Sequence, residues 1–135
     1  MKPLESQPIE IFVRGTLGCK CPDEVFRDLS IDPNASGDVA LRFTRLAVGG
    51  RLLIYVLGPQ SSDGLRGHIH GLASQGVHER DACGYNRFRL VVATDESLGL
   101  EAAVTQAFNM AAGADDRAHV HVVAARDVPA ALLPT

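Results

Sequence analysis

Six consecutive apolar residues, Leu52-Leu53-Ile54-Tyr55-Val56-Leu57, lie between Gly49-Gly50 and Gly58-Pro59. The run is short, β-rich and bounded by turn residues, so it reads as a strand. It is apolar at odd and even positions alike, so both of its faces show hydrocarbon. Such a strand belongs inside a sheet covered on both sides. No longer apolar run exists, and this one falls far short of the ~20 residues that cross a bilayer, so no membrane span is expected.

The flanks extend the pattern. Val39 to Val48 and Arg51 to Leu57 surround Gly49-Gly50, which predicts a hairpin with a two-residue turn, since both turn positions need positive φ. In that register Phe43 faces Val56 and Thr44 faces Tyr55. Ser61 or Ser62 caps a predicted helix running to about His78, with Leu65, Ile69, Leu72, Ala73 and Val77 as its stripe. Gly64, Gly67, Gly71 and Gly76 each weaken that helix by up to ~1 kcal/mol relative to Ala, which points to close packing or to backbone approach to another group. Arg87 to Ala93 is a strand with Phe88, Leu90 and Val92 inward. Glu96 to Ala112 carries the clearest helical spacing: Leu100, Ala103, Val104, Ala107, Phe108 and Ala111, closed by Gly113. Ala118 to Ala125 is a last strand.

Toward the N-terminus, Ile9, Ile11 and Val13 alternate with Glu10, Phe12 and Arg14 and predict a first strand. Pro22 to Leu29 predicts a short helix, and Asp32 to Asp38 a loop. The predicted order is β-α-β-β-α-β-α-β. This is an α/β (α+β) fold with a mixed sheet of about five strands: a ferredoxin-like core with an added helix and strand. A three-layer α/β/α sandwich is the competing arrangement. The 135 residues suit a single α/β domain, 1–135, with 1–8 and 128–135 as tails. At 46% hydrophobic and 21% charged residues the chain can bury a core, so disorder is excluded as its main state.

The stretch richest in chemistry is Gly18-Cys19-Lys20-Cys21-Pro22-Asp23-Glu24. With Pro22 at the first helical position, Cys21 becomes the N-cap. Its sulfur would lie near free backbone N–H groups and the positive end of the helix dipole, a setting that lowers a thiol pKa. Lys20 adds to that lowering, while Asp23 and Glu24 oppose it. In an extended turn, residues two apart point the same way, so Cys19 and Cys21 could aim at one point. The candidate catalytic residues are therefore Cys21 as nucleophile, Cys19 as resolving partner and Lys20 as electrostatic helper, for redox or sulfur-handling chemistry. The bland reading is two small residues buried beside a strand end. In setting cysteines between a strand and a helix, this turn resembles thioredoxin-like proteins. It differs from them in its Cys-x-Cys spacing and in the element order that follows.

A soft metal, Zn or Cu, is the alternative, with Cys19, Cys21 and Cys83 as ligands and a histidine (His68, His70 or His78) as the fourth. His68 and His70 are two apart on a predicted helix and do not share a face. His119 and His121 alternate on the last strand and project from one side, suiting either a shared metal or a solvated face. Arg14, Arg42, Arg87 and Arg89 fall out of phase with the apolar stripes, which suits an ordinary solvated face, a homodimer face of a non-catalytic dimeric binding module, or an anion-binding patch. A net charge of −3 and few exposed rings argue against nucleic acid as partner. Three cysteines and no signal-like apolar segment near Lys2, Glu5 and Glu10 predict a cytoplasmic protein with reduced thiols.

Overall fold

The computed structural model describes residues 6–18, 28–35, 43–58, 65–94, 100–113 and 115–133. They form an α+β fold built on a five-stranded mixed sheet. The strands are β1 (Leu29–Ala35), β2 (Phe43–Val48), β3 (Leu52–Leu57), β4 (Arg87–Thr94) and β5 (Ala118–Ala124). The helices are α1 (Ser6–Ile11), α2 (Leu65–Cys83) and α3 (Leu100–Ala112). The strands lie side by side in chain order. β1, β2 and β3 are an antiparallel meander; β3, β4 and β5 are parallel, with α2 and α3 in the connections.

β3 is buried along its whole length, as a strand apolar on both faces requires. One face carries Leu53, Tyr55, Leu57, Phe88, Leu90 and Val92 against Ile69, Leu72 and Ala73 of α2 and Val104, Ala107 and Phe108 of α3. The opposite face carries Leu46, Val48, Leu52, Ile54, Val56, Val91 and Ala93. Ile9, Phe12, Val13 and Leu17 cover it, together with Val128 and Leu132. Chain therefore lies on both sides of the sheet, in the three-layer manner. The segment from Val128 onward, predicted as a tail, contributes two core residues at 5% and 0% exposure.

Several expectations are corrected. Ile9–Arg14 is not a strand. It is the end of α1 running into a π-helical turn, Phe12–Thr16, closed by the Leu17 amide donating to the Phe12 carbonyl at 3.1 Å. Ile9, Phe12, Val13 and Leu17 also fit helical spacing, and a short apolar run fits both periods. The structure decides between them: Ile11, inward under the strand reading, is 72% exposed, whereas Phe12, outward under it, is 2% exposed.

Asp32-Pro33-Asn34, predicted as loop, is the second half of β1. Pro33 cannot donate to a ladder, and the pairing with β2 shifts register between Asp32 and Ala35. The predicted helix Pro22–Leu29 lies mostly outside the described residues, and Leu29 itself opens β1. The split βαβ unit of a ferredoxin-like core is absent among the described residues, because each parallel pair is adjacent in the sheet.

The hairpin turn has both glycines at positive φ, 59° and 67°, and Arg51 N–H donates to the Val48 carbonyl at 3.0 Å. The register nevertheless differs by one residue: Val48 pairs with Leu52, Thr44 with Val56 and Arg45 with Tyr55. Arg51 stays out of the ladder, and its carbonyl accepts from the amides of Asn86 and Arg87 at the start of β4. An all-apolar strand places no polar residue to penalise such a slip, so its pattern does not specify register.

α2 continues past His78 to Cys83. Gly84, at φ 78°, ends it, and the Tyr85 amide returns to the Arg80 carbonyl at 2.9 Å. Gly113, at φ 67°, closes α3 as predicted, with its amide on the Asn109 carbonyl at 2.9 Å. No helix among the described residues is long and apolar enough to cross a membrane.

Candidate functional site

Two polar clusters bind α2 to its surroundings. The first follows from the one-residue shift, which sets Arg45 beside Tyr55 on the helical face. Tyr55 donates its hydroxyl to Glu79 Oε1. Arg45 Nε donates to Glu79 Oε2 at 2.6 Å, and its NH2 reaches both Glu79 and the Tyr85 hydroxyl, the latter at 3.1 Å. Burial pushes the Glu79 carboxyl up, but the bonds from Arg45 and Tyr55 outweigh it and hold it below the usual carboxylate value. Burial, and then the bond to Glu79, raise the Tyr55 hydroxyl well above the ordinary phenol range. Glu79 therefore stays ionised and Tyr55 protonated near neutral pH, an arrangement suited to fastening α2 onto β2 and β3.

The second cluster centres on Arg80, 2% exposed on the buried stripe of α2. Its NH2 donates to Asp115 Oδ2 at 2.5 Å and its Nε to Asp81 Oδ1 at 3.1 Å. Asp115 also accepts the Arg117 amide at 2.9 Å. The Arg80 bond, joined by the Arg117 amide, overcomes burial and holds the Asp115 carboxyl below its ordinary value.

The third cluster lies on the opposite sheet face. Arg89 on β4 and His119 and His121 on β5 fall between the inward residues of their strands, and Arg89 pairs in register with His119. Arg89 NH1 lies 2.8 Å from His121 Nε2. Guanidinium only donates, so His121 Nε2 accepts and the neutral ring carries its proton on Nδ1. Burial first, and then the neighbouring Arg89 and His119, lower the His121 pKa to about 4. In this arrangement His121 Nε2 is engaged by Arg89, on the strand face it shares with His119.

Cys19, Lys20 and Cys21 lie outside the described residues, as does Arg42. What is described is the chain on either side of the cysteine turn. Leu17 is 3% exposed in the core opposite α2 and α3, and Gly18 follows at φ 71°. The Asp28 backbone carbonyl, before β1, accepts the Gly49 amide at 2.8 Å. Cys83 is a free, exposed thiol at the end of α2, so the sheet stands between its helix and Leu17. His70 and His78 are exposed on α2 and His68 is part-buried. Among the described residues no group of three His, Cys, Asp or Glu side chains is placed to hold a metal ion. Arg14, read as part of a strand face, is on the π-helical turn, 3.6 Å from Glu10.

Sequence reasoning missed Arg45, Glu79 and Arg80. The slipped register hid Arg45. Arg80 did carry a signal: it continues the stripe Ile69, Leu72, Ala73, Gly76 at helical spacing, where an arginine must be buried and paired. Comparison with protein-family models, with curated proteins and with solved structures returned no match.

Proposed function

We propose that the chain is a small thiol protein that uses the Cys19-Lys20-Cys21-Pro22 turn for redox or sulfur-handling chemistry. Support comes from one juxtaposition: a Cys-x-Cys-Pro run that directly follows a buried anchor, Leu17, and a left-handed glycine, Gly18. The sequence predicts that Pro22 opens a helix, which would make Cys21 the N-cap, where backbone donors favour a thiolate.

In the redox form, the Cys21 thiolate attacks one sulfur of a substrate disulfide. A mixed disulfide forms and the other substrate sulfur leaves as thiolate. The Cys19 thiolate then attacks Cys21 Sγ, forming the Cys19–Cys21 disulfide and releasing the second substrate thiolate. The protein loses two electrons and the substrate gains them. A disulfide closing so small a ring is strained, so a small dithiol or two monothiols reduce it back to Cys19 and Cys21 and leave as their own disulfide. Lys20 acts through charge alone, favouring both thiolates.

The test is the alkylation rate of each cysteine against pH, read by peptide mass spectrometry, with exposed Cys83 as internal reference. The expected midpoint for Cys21 lies below the free value of ~8.5. A midpoint at or above that value removes Cys21 as nucleophile. Stoichiometric zinc or copper in protein purified without chelator would replace this chemistry with soft-metal binding. Wild-type behaviour of a Cys19→Ser/Cys21→Ser variant in cells would favour a non-catalytic dimeric binding module.

A further inference from the structure

Among the described residues, the two buried or half-buried arginines of the helical face are each matched by an acid: Arg45 by Glu79, Arg80 by Asp115 and Asp81. Arg89, on the other face, is not. Its guanidinium is part-buried, and among the described residues its solvent-shielded Nε has no acceptor and its one hydrogen-bond partner is the neutral imidazole of His121. Arg87 stands two residues along β4 on the same face, exposed, and His119 lies opposite Arg89 on β5. No carboxylate among the described residues pairs with any of the four.

Removing a guanidinium from water without a counter-charge is costly, and a second cation beside it adds repulsion. Burial, and then Arg87, disfavour the charged form of Arg89, consistent with a missing counter-ion. His121 meets half of the problem by accepting a hydrogen bond while neutral. It leaves the positive charge in place and turns its own Nδ1–H into a further donor. Two guanidinium forks and two imidazole rings from two adjacent parallel strands thus share one face, with more donors than acceptors.

We propose that Arg87, Arg89, His119 and His121 form a binding site for a phosphate-type oxyanion. The donors come from several side chains on two strands. A tetrahedral anion with three or four acceptor oxygens can engage several of them at once, whereas a planar carboxylate is satisfied by one arginine fork. The site lies wholly on the described sheet face and does not depend on the cysteine turn.

The test is a histidine-selective NMR titration of the full chain with inorganic phosphate, at constant ionic strength made up with chloride. The expected result is a saturable shift of the His119 and His121 ring signals, with His68, His70 and His78 on α2 unmoved. Arg89→Lys, which keeps the charge and loses the fork, should weaken phosphate about tenfold or more. Arg87→Gln alters only an exposed side chain and should weaken it by a smaller factor, so the prediction stands even if Arg89→Lys folds poorly. Shifts spread over all five histidines, an equal response to chloride, or tighter binding of acetate than of phosphate would each overturn the assignment.

Discussion

Gly76 offers the sharpest test of how α2 meets the sheet. It is buried on the α2 stripe, directly over the Phe88 ring. A Cβ added there would lie under 3.0 Å from Phe88 Cζ, Cε1 and Cε2 at once, closer than real Cβ atoms approach anything. The ring must retreat by about 1 Å or more to restore ordinary contact. It has nowhere to go: Phe88 is 0% exposed, edge-on to Tyr55 at 5.0 Å and stacked with Phe108 at 6.4 Å. Two effects oppose each other in Gly76→Ala. Helix propensity favours alanine by up to ~1 kcal/mol. Overpacking costs ~1–3 kcal/mol, and a boxed-in ring met at three atoms belongs at or beyond the upper end. The net expectation is a loss of about 2 kcal/mol, which for a chain of this size is a fall in Tm of roughly 6–8 °C.

The assay is thermal or urea unfolding of wild type, Gly76→Ala, Phe88→Leu and the double variant. Phe88→Leu alone should destabilise by opening space, but in the Gly76→Ala background that space receives the new methyl. The two changes should therefore couple by ~1–2 kcal/mol, the double variant being more stable than the sum of the singles. A Gly76→Ala protein as stable as wild type, or strict additivity, would refute the close approach of α2 to Phe88.

Other predictions follow from the polar clusters. His121 stays neutral in the fold down to about pH 4, while an unfolded histidine takes its proton near ~6.5. Between those values the unfolded state binds more protons, so stability should fall as pH drops through that window; His121→Gln should flatten this part of the profile, and an unchanged profile would contradict the buried neutral ring. Glu79, held below its ordinary pKa, stabilises the fold above ~4.5 and loses that contribution as pH falls through its folded value. Glu79→Gln should cost about 1.5–3 kcal/mol near neutral pH, and the deficit should shrink in acid; urea midpoints at the two pH values read it, and a deficit independent of pH would contradict the ionised clamp.

Legibility in the sequence tracked how much each stretch commits to a single period. α3, β4 and β5 were readable because a polar residue in the wrong phase would have been conspicuous. Ile9–Val13 was not, because five residues fit both strand and helix, and the burial of Phe12 that separates them is a tertiary fact. β1 was missed because Asp-Pro-Asn carries loop composition, while an edge strand with a bulge tolerates it. Pattern and structure both have five strands, because one false strand, Ile9–Arg14, stands in for one missed, β1. At the third cluster, alternation alone put His119 and His121 on one face and kept Arg87 and Arg89 out of the apolar stripe. That those residues meet needed the parallel pairing of β4 with β5, which no local pattern encodes. The Arg45–Tyr55–Glu79 clamp was hidden by a single-residue slip in an all-apolar strand.

The proposed thiol chemistry is tested most directly by exposing the Cys19→Ser protein and the wild type to oxidised glutathione and weighing the products. The expected result is a glutathione adduct that accumulates on Cys21 in the variant. In the wild type that adduct gives way to an intramolecular disulfide with the loss of two hydrogens. Adducts confined to the exposed Cys83 in both proteins would contradict the proposal.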